Sequence, residues 1–394
     1  MSQASDDVHR RVRAAVRQRS GFLWRIACAV HADPEYAFAE HRAAALLTGE
    51  LECAGFDVRR GVAGMPTAFT ARAGRGRPAV ALLLEYDALP GLGHACGHNL
   101  IAAAGLGAAL AVHAVLQGTA GTVTAVGTPA EEGGGGKALE VQAGLFDEID
   151  AALMFHPGVH DWTRAVLTAQ EQYRIGYHGR AAHPTGDPTH GIDALAALIE
   201  LFNVLSSLAR RFPEASHVQG IVTAGGTATN IVPDYAEGLF GLRGATTREL
   251  DGLAEQLRTC ANGIALATGT SVTVERATVR YEHFRDSPVL SERFAAHLAQ
   301  NGIVLTPPRP EVHLGSSDAG NVSARVPTIH PFVAIMDESG ADHTHEFATA
   351  AASPRARSVL GAVTEALACT AVDVLLETGL RESAWAGHHA TGAE

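Results

Sequence analysis

The chain has no cysteine framework. Its five cysteines (Cys28, Cys53, Cys96, Cys260 and Cys369) are odd in number and widely scattered, a pattern that excludes a disulfide scaffold and fits a reducing compartment. Positive charge is scarce too. Thirty Lys and Arg against 42 Asp and Glu leave a formal net charge of −12, which argues against nucleic acid or an anionic membrane as a partner. The opening MSQASDDVHRRVRAAVRQRS is polar and basic with no apolar segment behind it, so no secretory signal is expected. Long apolar runs are also missing: Ala102 to Leu116 is interrupted by Gly105, Gly107 and His113, and no membrane span is expected. These absences together predict a cytoplasmic protein.

What remains is ordinary globular material, 46% hydrophobic and 18% charged. At 394 residues the chain exceeds one simple core, and two domains are expected. Twenty histidines are more than chance surface placement suggests. The stretch that organises them runs from Leu82 to Asn99, LLLEYDALPGLGHACGHN. An apolar strand, Val80 to Leu84, ends in Glu85, Tyr86 and Asp87. A Pro- and Gly-rich turn then delivers His94, Cys96, His98 and Asn99 before an Ala-rich helix from Leu100 to Leu116. Cys96 and His98 are two apart, so in extended chain their side chains share a face, and thiolate and imidazole are zinc-type donors.

Other strands end in similar chemistry. Gly121 to Gly127 leads to Glu131 and Glu132, followed by four glycines and Lys137; Ala151 to Phe155 leads to His156; Pro331 to Met336 precedes His343 and His345. If these strands lie parallel, all of these groups meet at one edge of the sheet, where ligands bind in open α/β folds. Upstream, Ser5 to Val30 has helical periodicity, and a second helix from Ala39 to Ala54 stops at Gly55.

Between residues 168 and 282 the rhythm changes. A strand Glu171 to Tyr177, a helix Gly191 to Arg211, strands His217 to Thr223 and Tyr235 to Leu242, a helix Leu250 to Thr268 and a strand Ser271 to Val279 give the order β-α-β-β-α-β, that of a ferredoxin-like unit. The expected organisation is therefore a discontinuous α/β catalytic domain, 1–167 and 283–394, with a mainly parallel sheet flanked by helices. The inserted α+β unit at 168–282 has free sheet edges that favour a homodimer.

The strings EYDALPGLGHACGHN, TPAEEGGGGK, GRAAHP, GGTATNIVPD, GSSDAGNVS and HTHEFA, with His156, occur in that order. Together they resemble the dinuclear metallohydrolase family of aminoacylases, hippurate hydrolases and glutamate-releasing carboxypeptidases. The branch with aminobenzoyl-glutamate utilisation proteins and aminoacylase-like dipeptidases is the most similar. The resemblance implies two divalent metal ions, zinc or manganese with cobalt or nickel also possible. Cys96 would bridge them, with His98, Glu132, His156 and His343 completing the coordination. His343 is preferred to His345, which stands where family members often have proline; Asn99 stands where the hippurate-hydrolase branch usually has aspartate.

Roles follow from the same resemblance. Glu131 would carry a proton from water to the leaving nitrogen, and Asp87 would orient a metal-binding imidazole. His183, in the lid, would stabilise an oxyanion in a partner subunit's site. Asn230 and Arg243 would hold the substrate, the guanidinium gripping a carboxylate. His94, His178 and His190 receive structural roles. The implied activity is hydrolysis of the amide bond of an N-acyl or N-aroyl amino acid or small dipeptide, a small carboxylate substrate. Rival readings are metal-dependent deamination of an aromatic amine, a Cys–His nucleophilic hydrolase and a non-catalytic binding homologue. The Cys–His reading leaves Glu131, Glu132, His156 and His343 idle.

Overall fold

The computed structural model describes residues 3–115, 120–187, 189–309, 312 and 315–392. The chain divides into two units. The first comprises the N-terminal segment through Val166, the stretch beginning at Phe284 and the segment from Asp318 onward; the second comprises Leu167–His283 with Gly315–Ser317.

In the first unit, helices α1 (Gln3–Gln18), α2 (Ser20–Ala32) and α3 (His41–Cys53) open the chain. The single helix expected across Ser5 to Val30 is in fact two, broken at Arg19, whose ψ of 0° interrupts the helical path. The expected stop at Gly55 has a physical cause. Gly55 sits at φ 90°, its amide donates to the Glu52 carbonyl, and the Phe56 amide donates back to Leu51, a left-handed helix terminus.

Strands β1 (Asp57–Arg60), β2 (Phe69–Arg75) and β3 (Ala79–Glu85) follow, then α4 (His98–Val115), β4 (Gly121–Thr128), α5 (Gly136–Gln142), β5 (Ala151–Leu153) and β6 (His156–Gly158). The strands β3 and β4 are buried along their whole length, as continuous apolar, β-branched strands covered on both faces should be.

The second unit contains β7 (Ala169–His178), α6 (Ala194–Leu208), β8 (His217–Ala224), β9 (Tyr235–Gly244), α7 (Thr247–Thr268) and β10 (Ser271–Arg276). Its four strands form one antiparallel sheet in the order β10-β7-β9-β8, the two middle strands being the first and third of the unit, as in a ferredoxin-like motif. Alternating side chains of β7 and β9 (Tyr173, Ile175, Tyr177, Phe240, Leu242) pack on Leu198 and Leu201 of α6 and Leu253 and Leu257 of α7. A capping box between Thr246 and Glu249 starts α7 three residues ahead of its apolar pattern. Strands β10 and β8 are the two outer strands, and on β8 Ile221 is 61% exposed.

The chain returns to the first unit through α8 (Pro288–Ala299), α9 (Ala319–Ser323), β11 (Thr328–Ile329), β12 (Phe332–Ala334), α10 (His345–Ala350), α11 (Pro354–Leu376) and α12 (Thr378–Gly392). The main sheet has the order β1-β2-β4-β3-β5-β11. Pairings of β3 with β4 and β5, and of β5 with β11, are parallel, while β1 and β2 run antiparallel. The fold is thus mixed α/β with a mainly parallel sheet, plus a separate antiparallel sheet.

One expected strand moves. The expected fourth strand, Pro331 to Met336, is not in the main sheet: β11 takes that place, and β12 pairs instead with β6 in a two-stranded ribbon. The chain bends between them at His330 and Pro331, where proline cannot donate to the ladder. The helices α4 and α11 are long and apolar enough to cross a membrane, unlike any run expected from the sequence, yet 89% of the apolar stretch of each is buried inside the first unit. They pack on each other, and α4 also packs on β3.

Candidate metal centre

The first unit gathers Asp87, Cys96, His98, Glu131, Glu132, His156 and His343. Each arrives by a local device. His98 is the first residue of α4, and Gly97 before it takes φ 77°, where a Cβ would meet Pro157 at 2.8 Å. Ala130, just before the paired glutamates, and His343 itself are non-glycine residues at positive φ, 61° and 56°. Such conformations cost energy and concentrate at functional sites. The His343 amide donates to the Ala95 carbonyl at 2.9 Å, so the strained residue is tied to the Cys96 loop.

Candidate donor atoms fall into overlapping triads. Cys96, His98 and His156 form one; Cys96, Glu132 and His343 form a second; His98, Glu131 and Glu132 form a third. Within each, donor atoms lie within 4.8 Å of one another. Cys96 is shared by the first two, which gives it the geometry of a bridge between two ion positions. His345, the first residue of α10, belongs to none of these groups; both it and His343 are exposed, and only His343 reaches the cluster.

The imidazoles are pre-set for ligation. The Nδ1 of His98 lies 3.0 Å from both the Asp87 carbonyl and its Oδ1, and the Nδ1 of His156 lies 2.6 Å from the Pro157 carbonyl. With Nδ1 of each ring engaged in this way, Nε2 is the nitrogen left to face a metal. The Nε2 of His156 lies 3.4 Å from Cys96 Sγ, and that of His343 lies 3.6 Å from Glu132 Oε2. The fit to metal rests on buried polar atoms left over: His98 Nε2 and Glu132 Oε1 are buried without a hydrogen-bond partner, an arrangement that a cation would satisfy. Thiolate, imidazole and carboxylate donors suit zinc-type ions.

Electrostatics agree with a site built around a cation. Burial, with Glu132 adding to it, pushes the Cys96 thiol well above its ordinary value; a bound divalent ion reverses that logic and deprotonates a ligating thiol. Burial and then Glu85 push the Glu131 carboxyl well above the usual range, against the pull of Lys137. Burial opposes the Asp87 carboxylate, but His98 and the Glu132 amide outweigh it and hold Asp87 below its ordinary value.

Sequence reasoning missed a second tier of charge. Lys137 is the only lysine in the chain. It is fully buried, with Nζ 2.6 Å from Asp318 Oδ1 and 2.7 Å from Glu85 Oε1. Glu85 in turn places Oε2 3.4 Å from His98 Nε2. Burial works against an ionised Glu85, but Lys137 and His98 hold its pKa down to about 2. A chain that uses arginine in place of lysine everywhere else carries its one compact, three-donor ammonium here. That singularity was the available signal.

The other expected residues lie in the second unit. His183 is exposed in the loop before α6, and its Nδ1 accepts from the Thr185 and Gly186 amides at 3.2 and 3.0 Å, so Nε2 carries the proton. Asn230 is exposed in the turn after β8. Arg243, on β9, is half-buried and donates to Ser316 Oγ at 2.9 Å. Burial lowers its pKa, and among the described residues no carboxylate pairs with it. Asn99 turns out to be fully buried, its amide nitrogen donating to the Ala27 and Ala351 carbonyls at 3.3 and 3.2 Å.

Comparison with known proteins gives a consistent result. A model of peptidase family M20/M25/M40 matches residues 81–366. The chain is 35% identical to a mouse Xaa-Arg dipeptidase over 95% of its own length and 90% of the relative's. It is 38% identical to a p-aminobenzoyl-glutamate hydrolase polypeptide of Escherichia coli K12, over 61% of this chain and 54% of that one. Among solved structures, a dinuclear metal-binding peptidase of the M20 family from Bacillus subtilis superposes with a TM-score of 0.68 at 20% identity, covering 91% of this chain and 99% of that one. A putative aminohydrolase from methicillin-resistant Staphylococcus aureus reaches 0.79 at 20% identity, over 93% and 100%.

Proposed function

The chain belongs to peptidase family M20/M25/M40, and from that premise we propose that this hydrolase cleaves the amide bond of an N-acyl or N-aroyl amino acid or a small dipeptide. The observation that carries the reading is the shared position of Cys96 between the His98–His156 pair and the Glu132–His343 pair. Two divalent ions held there would polarise the scissile carbonyl and make water a nucleophile at neutral pH.

The chain's own residues supply the rest. Glu132, the ligand, stays ionised beside a cation. Glu131, 4.0 Å from His98 Nε2, takes a proton at its carboxylate from the attacking water and returns it to the leaving nitrogen. Asp87 fixes the His98 ring. Arg243 carries a positive charge that no acid among the described residues neutralises, which suits the free carboxylate of a substrate. Arginine and glutamate, the amino acids named in the two relatives, have side chains of opposite charge. What they share is an α-carboxylate, and we assign Arg243 to it. His183 and Asn230 are assigned to the oxyanion and substrate, and zinc is the favoured ion on the strength of Cys96.

The test is a panel of N-acyl amino acids, Xaa-Arg and Xaa-Glu dipeptides and their carboxamides, with released amine identified and metal counted. Glu131→Gln should keep its metal and lose about 10²–10⁴-fold in kcat, while Glu132→Gln should lower the metal content. Arg243→Ala should penalise the free acids selectively. Full turnover by Glu131→Gln, ammonia as the sole amine released, or one metal per fully active chain would overturn the reading.

A further inference from the structure

Beside the paired glutamates lies a buried carboxylate that the metal triads do not include. Glu40 immediately precedes α3 and is fully buried. Both of its oxygens are spent on donors. Oε1 accepts from the Phe38 amide at 3.0 Å and the Ala130 amide at 2.9 Å; Oε2 accepts from the Thr67 hydroxyl at 2.8 Å.

The Ala130 contact is the telling one. Ala130 directly precedes Glu131 and holds φ at 61°, a left-handed conformation that a Cβ resists. Its carbonyl accepts from the Gly134 and Gly135 amides at 2.9 and 2.8 Å, closing the turn that carries Glu131 and Glu132. Phe38 covers the far side of that turn: a Cβ on Gly134 would meet the Phe38 ring at 2.3 Å. The same N-terminal segment reaches the neighbouring loop, because the Ala88 amide donates to the Glu35 carbonyl at 2.8 Å, one residue beyond Asp87. One segment therefore ties the ends of both central strands.

We propose that Glu40 is a positioning residue for hydrolysis: its carboxylate clamps the Ala130 peptide in the left-handed conformation that presents Glu131 to the reacting water while Glu132 faces the metal. The proposal rests on Glu131 being the proton carrier. Glu40 itself touches neither substrate nor metal. All three of its partners are donors, and the chemistry of replacement follows from that. A methionine leaves the buried Ala130 amide and the partly buried Phe38 amide without an acceptor. A glutamine keeps a carbonyl on both amides and turns its nitrogen to Thr67, whose hydroxyl rotates to accept.

The experiment measures kcat, KM and metal content for Glu40→Gln, Glu40→Met, Glu131→Gln, the Glu40→Met/Glu131→Gln double variant and Glu40→Met/Ala130→Gly. Glu40→Met should lose about 10–100-fold in kcat, the scale of a misplaced catalytic group, with KM and metal content kept, and Glu40→Gln should retain turnover. In the Glu131→Gln background Glu40→Met should cost nothing more, since no proton carrier is left to misplace. Ala130→Gly should recover part of the loss, because glycine adopts this φ freely.

Wild-type kcat in Glu40→Met, a loss that adds in full to that of Glu131→Gln, or loss of metal without rescue by glycine would overturn the proposal. Full turnover by Glu131→Gln would instead refute the role of Glu131, a distinguishable failure. Should Glu40→Met not fold, Thr67→Val frees Oε2 alone and should show a smaller kcat loss that vanishes in the Glu131→Gln background; wild-type kcat in the Thr67→Val single variant overturns the clamp.

Discussion

Asp87 divides its carboxylate between two loops. Oδ1 receives His98 Nδ1 at 3.0 Å, and Oδ2 receives the Glu132 amide at 2.9 Å. Removing it frees an imidazole and a ligand backbone at once, so Asp87→Ala should weaken metal binding about 10–100-fold, the usual cost of losing a group that orients a ligand. Competition with a chelator measures this, and unchanged affinity would show that His98 needs no such partner. The candidate donors could be read from the sequence because metal chemistry admits few residue types and sets them close to strand ends. What Glu40 and Lys137 pair with could not. Each is a lone charged residue without a pattern, and the groups that explain them, Ala130 and Asp318, lie 90 and 181 positions away.

The helices α1, α8 and α11 share one buried knot. Asp373 on α11 accepts from His9 Nε2 on α1 and His297 Nε2 on α8, each at 2.7 Å, and pairs with Arg293 at 2.9 Å. Burial alone would raise the Asp373 carboxyl, but the hydrogen bonds and charges of His297 and His9 outweigh it and hold the group well below the carboxylate range. A depressed folded value means that the stabilisation is present above the unfolded value and is lost as pH falls through the folded one.

Asp373→Asn should therefore cost about 3 kcal/mol at neutral pH. The gap between variant and wild type should begin to close below about pH 4. Denaturant titration across pH checks it, and a gap that stays constant into strong acid would contradict the assignment. Element types followed from periodicity because strands buried on both faces read as unbroken apolar runs. The break at Arg19 and the turn that sends β12 to β6 instead of the main sheet did not, since neither changes the local apolar pattern. The knot itself joins residues 364 positions apart, beyond any window of periodicity.

At the scale of the molecule, the rhythm of the sequence changes from buried strands to alternating ones across the second unit, because a sheet covered on one face alternates. A plentiful supply of arginine masks the near-absence of lysine. With Lys137 sealed between Asp318 and Glu85, the folded chain offers no side-chain primary amine to solvent among its described residues. Acylating reagents, reductive methylation and amine-directed cross-linkers should therefore find no lysine side chain on the native surface, and only the α-amino group is left to react. Rapid modification of Lys137 under native conditions, ahead of any loss of structure, would show that the ammonium is reached by a local opening. Peptide mapping should instead find its Nζ modified only in step with global opening, so that a single acylation event times the unfolding of the whole first unit.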